Sequence, residues 1–358
     1  MSTVIEARQQ GHAYPVEVGP VAGRLDRLCS GRDRVALVTC ARVLGTPYGR
    51  RVAAALARTS PLAVTVVLPD GERGKTLAVL ERSATRLLRA DLTRRSLVVA
   101  LGGGAVTDAA GFLSAVFMRG LDWLAVPTTV LAMVDAALGG KTAVNLPLAK
   151  NAVGAFHPPV GVLSDPASLA TLPPRELRSG LAEVLKYGFL RPELLPALAT
   201  AARTGRVGAA TVAACARVKV EVVERDPREK AERKLLNLGH TFGHGVEAAG
   251  GFRRYTHGES VAVGTAFAFR LARAMGRVGA DEVEKVEAAL NGAGLPVRVS
   301  PSTARKARLL MAHDKKRSAS GLLWVLPIRR GPSWAVEWDV VAPPEAVRAA
   351  VREIGSAG

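Results

Sequence analysis

The chain has 358 residues, long enough for two domains, and 48% hydrophobic with 22% charged residues excludes a disordered polymer. No apolar run approaches the roughly 20 residues of a membrane-spanning helix and the first residues carry no apolar signal region, so a soluble cytoplasmic protein without a membrane partner is expected. Cys29, Cys40 and Cys215 are too few and wrongly spaced for a disulfide framework or a cysteine zinc site, and the net charge of +18 is scattered without aromatic-interleaved basic motifs, so no nucleic-acid partner is expected.

Short apolar runs at Val35 to Thr39, Ala63 to Leu68, Ser96 to Leu101 and Trp123 to Val126 predict buried strands. Between them, Thr76 to Ala90 repeats Leu77, Leu80, Ala84, Leu87 and Leu88 at helical spacing. This alternation predicts a Rossmann-like α/β domain over residues 1–168. Beyond two proline-rich stretches, periodicity predicts helices at Glu176 to Phe189, Gly208 to Arg225, Gly258 to Met275, Asp281 to Ala293 and Pro344 to Glu353. The expectation is a mostly helical second domain over residues 169–358, interrupted by a hairpin from Leu322 to Ile328 and Trp334 to Trp338.

Within the first part, Ser96 to Leu101 runs into Gly102-Gly103-Gly104 and then Asp108, which is expected to open a helix. Strand, glycine turn and helix in that order let backbone N–H groups approach a phosphate, although a tight turn needs the same glycines. In the second part, three of the six histidines cluster as His240, His244 and His257. His240 and His244 stand at i and i+4, a spacing that presents two imidazoles to one ion. Spacing leaves open which carboxylate joins them. Glu183 is attractive because it and Lys186 share an otherwise apolar helix, though a plain helical ion pair would look the same. Arg119, Lys141, Lys219, Arg233 and the Lys315-Lys316 pair lie in apolar or glycine-rich settings, where a phosphate or carboxylate would partner them.

In order, these segments resemble the sugar-phosphate cyclase family, and within it the 3-dehydroquinate synthases. The matching pieces are Pro69 to Lys75, Gly102 to Phe112, Pro127 to Thr129, Val134 to Thr142, Lys150-Asn151, Gly180 to Lys186, Asn237 to His244, His257 to Glu259 and Asp314 to Lys316. The resemblance implies NAD in a cleft between an α/β and a helical domain, a divalent metal such as zinc or cobalt, and a homodimer. It implies Glu183, His240 and His257 as metal ligands. Glu72, Lys75, Gly103, Gly104, Asp108, Thr128, Thr129, Leu131, Asp135, Lys150 and Thr171 are the implied NAD-binding residues. Lys141, Lys186, Asn237 and His244 are implied as catalytic. Asn151, Lys219, Arg233 and Lys316 are implied to bind a sugar-phosphate substrate, with Arg119 offered across the subunit interface.

The implied reaction turns 3-deoxy-D-arabino-heptulosonate 7-phosphate into 3-dehydroquinate and phosphate, with NAD restored at the end. Arg233 suits the substrate carboxylate, which the substrates of the sister cyclases lack. A 2-deoxy-scyllo-inosose synthase-like cyclase and a metal-dependent alcohol or glycerol dehydrogenase are the alternatives. Two departures stand out: Cys40 and Arg42 follow the first strand where the family often has Asp and Asn, and Ala149 replaces a glycine. NADP binding through Arg42 is one expectation from the first, with NAD retained as the other.

Overall fold

The computed structural model describes residues 2–356 apart from 22, 148, 312–316 and 319–320. The chain forms two compact units, one made of Met1–Pro173 with Gly208–Pro227 and the other of Pro174–Val207 with Arg228–Gly358.

The first unit is built on a seven-stranded sheet. In chain order its strands are β1 (Thr3–Gln9), β2 (His12–Val18), β3 (Val35–Cys40), β4 (Leu62–Leu68), β5 (Leu97–Gly102), β6 (Asp122–Pro127) and, after a separate antiparallel hairpin of β7 (Lys141–Leu146) and β8 (Ala149–Phe156), β9 (Gly161–Ser164). The spatial order is β1-β2-β9-β6-β5-β3-β4, parallel throughout except where β1 pairs with β2. β3 and β5 are buried at every position, as their unbroken apolar sequences require of strands covered on both faces.

The helices of this unit are α1 (Arg24–Cys29), α2 (Ala41–Leu44), α3 (Pro47–Thr59), α4 (Leu77–Arg89) and α5 (Gly104–Val116). Thr76 caps α4, its hydroxyl accepting from Val79 N at 3.2 Å. α5 begins at Gly104, so Asp108 lies a turn inside the helix it was expected to open. The apolar and uncharged residues Ala105, Val106 and Thr107 already have helical backbone, and Gly103 serves as the N-cap.

The second unit comprises α6 (Pro174–Leu190) and α7 (Leu195–Thr204). It excludes α8 (Ala209–Arg225), which returns to the first unit, where Ala216 and Val220 join Val16, Val98 and Trp123 in one core. α9 (His240–Ala249), α10 (His257–Ala274), α11 (Ala280–Gly292), α12 (Pro301–Met311) and α13 (Pro344–Ile354) complete it, with a small sheet of β10 (Arg317–Ser318), β11 (Gly321–Arg330) and β12 (Ser333–Val341). β11 and β12 form the expected hairpin, tightened to a turn at Gly331-Pro332 where Gly331 has φ +58°.

All three cysteines are free and buried, and burial pushes the Cys29 thiol up to about 11. No helix of the described residues is long and apolar enough to cross a membrane.

Candidate functional site

In the second unit, Glu183 on α6, His240 at the first position of α9 and His257 at the first position of α10 converge, with one donor atom from each lying within 4.8 Å of the others. Local sequence fixes this arrangement. Thr256 and Glu259 form a reciprocal capping box that sets where α10 begins, and hence where His257 points from. Gly258 follows because a Cβ there would stand 1.8 Å from Ser179 O on α6, so only glycine lets the two helices meet. Glycine at 264 plays the same part against Gly239 O, where a Cβ would also come to 1.8 Å. Helix contacts this close leave the three side chains little freedom to drift.

Glu183 is completely buried, and neither carboxylate oxygen accepts a hydrogen bond of ordinary geometry. Oε1 instead lies 3.6 Å from His240 Nε2 and 3.3 Å from His257 Nε2, while Oε2 contacts Lys186 Nζ. Lys186 offsets part of the cost of burying this anion, and a cation among the donors would engage Oε1 as well. The imidazoles are set up to coordinate. His240 Nδ1 sits 3.1 Å from the backbone carbonyl of Leu238, an arrangement that places the proton on Nδ1 and leaves the Nε2 lone pair facing Glu183. His257 Nδ1 faces the buried Glu247 carboxylate at 3.9 Å. Burial opposes charge on His257, but Glu183 and Glu247 outweigh it and hold the imidazole up to about 9. Two nitrogens and a carboxylate are the protein donor set of a catalytic zinc or similar divalent ion.

His244 lies one turn after His240, exposed, with its ring centroid 5.5 Å from that of His240. It is outside the converging trio, so the i, i+4 pair suggested by spacing is replaced by His240 with His257. Around the trio's segments, Lys186 and Arg233 are each 1% exposed, and Asn237 donates from Nδ2 to Glu229 Oε1 at 2.6 Å. Glu229 and Glu247 were missed in the sequence. Glu247 stands at i+7 from His240, on the same helical face, which was the available signal. Lys316 lies outside the described residues.

The first unit presents the carboxyl ends of β3, β5 and β6. After β3 the chain passes to β4 on one side of it and then to β5 on the other, which is the switch point where doubly wound sheets open a crevice for nucleotides. Gly102 and Gly103 turn the chain here, and a Cβ on Gly103 would meet Thr129 Cγ2 at 2.9 Å. α5 follows with no acidic residue in its first turn and no side chain capping its amides, an N-terminus suited to a pyrophosphate. These features fit a dinucleotide.

Lys75 Nζ donates to Asp108 Oδ2 at 2.6 Å and to Asn151 Oδ1 at 2.5 Å, so residues expected to serve cofactor and substrate share one network. Burial pushes the Asp108 carboxyl above its ordinary range, and Lys75 pulls it partly back. Asn151 holds its place with φ +51°, its amide donating to Asn145 Oδ1, while Asn145 Nδ2 donates to Glu72 Oε2 at 2.6 Å. Asp135 takes Lys219 of α8 onto both its carboxylate and its carbonyl. Thr128 is buried and Thr129 caps the following turn, accepting from Ala132 N, beside Leu131. Gly104 opens α5. Lys141 and Lys150 are exposed on the β7–β8 hairpin, and Thr171 is exposed with its hydroxyl on Ser168 O. Arg119 is exposed and, with Met118, adopts a left-handed backbone at φ +68° and +48°.

The family described as 3-dehydroquinate synthase N-terminal matches residues 65–179, and that described as 3-dehydroquinate synthase C-terminal matches residues 180–317. A 3-dehydroquinate synthase of Gloeobacter violaceus is 45% identical over 340 residues, covering 91% of this chain and 92% of the relative. Among solved structures, 2-epi-5-epi-valiolone synthase from Streptomyces hygroscopicus with NAD+ and Zn2+ bound aligns with a TM-score of 0.83 at 26% identity, covering 97% of this chain and 98% of that one. A 2-deoxy-scyllo-inosose synthase complexed with carbaglucose-6-phosphate, NAD+ and Co2+ shares the fold, with a TM-score of 0.80 at 23% identity over 98% of this chain and all of its own. The chain belongs to the 3-dehydroquinate synthase family.

Proposed function

We propose that the chain is a phosphate-eliminating cyclase that converts 3-deoxy-D-arabino-heptulosonate 7-phosphate into 3-dehydroquinate and phosphate. The observation that carries this reading is the convergence of Glu183, His240 and His257 in a chain matched along most of its length by 3-dehydroquinate synthases. Glu183, His240 and His257 would hold the divalent metal, and the β5–α5 turn with Lys75 and Asp108 would hold NAD. When bound, NAD supplies a reversible hydride acceptor and the metal supplies Lewis acidity toward substrate hydroxyls.

The chain's own side chains do the rest. Buried Arg233 offers a planar fork for the substrate carboxylate, which glucose 6-phosphate and sedoheptulose 7-phosphate lack, and this favours the heptulosonate over the rival sugars. Lys186, pressed against Glu183, keeps a positive charge where substrate oxygens acquire negative charge. Asn237 orients the ring through hydrogen bonds and His244 exchanges protons with its hydroxyls. Lys141, Asn151, Lys219 and Lys316 serve the phosphate and neighbouring hydroxyls. The reversible hydride chemistry that bound NAD would supply would acidify the neighbouring C–H for phosphate elimination and leave NAD unchanged overall, and ring opening with aldol closure would give the carbocycle. A cytoplasmic homodimer completes the proposal, with Arg119 presented to the partner.

The test is phosphate release by purified protein with NAD and zinc or cobalt. Release from the heptulosonate phosphate without net NADH is expected. Release only from glucose 6-phosphate or sedoheptulose 7-phosphate would overturn the substrate, and NADH accumulating on a simple alcohol would overturn the reaction class.

A further inference from the structure

The core face of the β1–β2 hairpin ends on an amide. β1 and β2 pair from Thr3 opposite Val18 to Gln9 opposite His12, joined by a two-residue turn in which Gln10 and Gly11 have φ +52° and +82°. Alternation along β1 puts Ile5, Ala7 and Gln9 on one face, and β2 adds Tyr14 and Val16 opposite them. Ala7, Tyr14 and Val16 pack in one core with Ala137 and Leu138. Gln9 is equally buried, at a position where an apolar side chain would have no polar group to satisfy. Its Oε1 accepts no hydrogen bond among the described residues, so burying this amide carries a free-energy cost.

The amide grips one turn. Gln9 Nε2 donates to the carbonyl of Gly139 at 3.0 Å, and the N–H of the same glycine donates to Tyr14 Oη in a longer contact of 3.4 Å. Gly139 and Gly140 have φ +86° and +61°, so two residues without side chains lead in left-handed conformation into β7, whose first residue is Lys141. Such a turn has no side chains of its own to pack, and hydrogen bonds to its backbone set its direction. Beyond it, Gly140 O accepts from His157 N at 2.8 Å, and Lys141 pairs with Phe156 across the β7–β8 hairpin. Gln9 Oε1 lies against Gly140, where a Cβ would stand 3.1 Å from it and 3.0 Å from Pro158 N.

We propose that Gln9, seconded by Tyr14, is a positioning residue for Lys141: held by its carbonyl and its N–H, Gly139 fixes the course of the double-glycine turn, and the turn fixes where Lys141 offers its ammonium to the substrate. The proposal rests on the reading of Lys141 as a residue that serves the substrate phosphate. It accounts for a buried amide where packing alone calls for an apolar side chain, and it gives the hairpin at the start of the chain a part in the reaction. A displacement of about 1 Å imposed from a distance is enough to slow a reaction by about 100-fold.

The experiment is phosphate release from the heptulosonate phosphate by the full chain loaded with NAD and zinc, with NAD affinity and melting temperature measured beside it, for Gln9→Leu, Gln9→Met, Tyr14→Phe, Lys141→Ala and Gln9→Leu/Lys141→Ala. Gln9→Leu and Gln9→Met should each lower kcat/KM by about tenfold, mainly through KM, with NAD affinity unchanged. Their melting temperatures should hold or rise, since an apolar side chain leaves no acceptor unpaired. Tyr14→Phe, which removes the longer contact, should lower kcat/KM by about threefold. Lys141→Ala should lower it by about 100-fold, and adding Gln9→Leu should then change it by less than about twofold, because a residue acting through Lys141 has nothing left to act on. A full further tenfold loss in the Lys141→Ala background, or an unchanged kcat/KM in Gln9→Leu, would overturn the positioning role. So would a collapse of the melting temperature in both Gln9 variants, which would make the amide a structural one. An unchanged kcat/KM in Lys141→Ala itself would overturn the reading of Lys141, and absence of phosphate release by the wild-type chain would overturn the reaction, each taking this proposal with it.

Discussion

The metal corner of the second unit and the nucleotide crevice of the first solve opposite problems. In the corner, donors from three helices meet around a carboxylate that water does not reach, and glycine contacts lock the helices together. In the crevice, the residues expected to bind gather at strand ends and in turns, and side chains such as Lys75, Asp108 and Asn151 share hydrogen bonds. A small cation is held by a few atoms at nearly fixed separations, so its site is built from packed helices. A long anionic ligand spreads over many weak contacts, so its site is suited to strand ends and a helix N-terminus.

The strongest way to break this comparison is at the corner. Glu183→Ala should abolish metal retention, measured by elemental analysis, and lower turnover by about 1,000-fold or more while NAD binding persists. Loss of NAD binding as well would show that the two regions are not separable. In the crevice, Lys75→Met should leave Asp108 without its cation, cost about 3 kcal/mol of stability and weaken NAD binding. Adding Asp108→Asn should restore the melting temperature but not NAD binding, and recovery of both would make the pair purely structural.

Gly258→Ala tests whether rigidity at the corner is needed, because a Cβ 1.8 Å from Ser179 O must push α10 off α6. A stability loss of about 2 kcal/mol with weakened metal binding is expected, and unchanged metal affinity would show the trio tolerates helix displacement. The smallest effect is Glu247→Gln, which should weaken metal binding by about tenfold and alter the visible spectrum of the cobalt-loaded protein. An unaltered spectrum would remove Glu247 from the support of His257.

Much of both regions was legible, for different reasons. The apolar runs of β3 and β5 and the Gly102-Gly103-Gly104 turn announced the crevice, because a buried strand and a turn each leave a local signature. At the corner, Glu183 stood out as a charge in an apolar helix. His244 drew attention by its i, i+4 spacing from His240, whereas the capping box at Thr256 and the close approach at Gly258 bring in His257, a partner from another helix that periodicity along one helix does not count. The β1–β2 hairpin was passed over, since its residues alternate polar with apolar and β1 lies at a sheet edge.

α8 looks in sequence like any other helix of the second half, yet its apolar face completes the core of the first unit against strands made from the beginning of the chain. During synthesis, the seven-stranded sheet therefore emerges from the ribosome with that part of its core uncovered until residues 209–225 follow. The first unit cannot close as soon as its own contiguous stretch is translated, and the segment Pro174–Val207 must be threaded out in the interval. A ribosome stalled before α8 should display a protease-sensitive sheet, and one stalled well beyond it a resistant unit. For the same reason, cutting the gene at the end of β9 would deprive the first unit of α8.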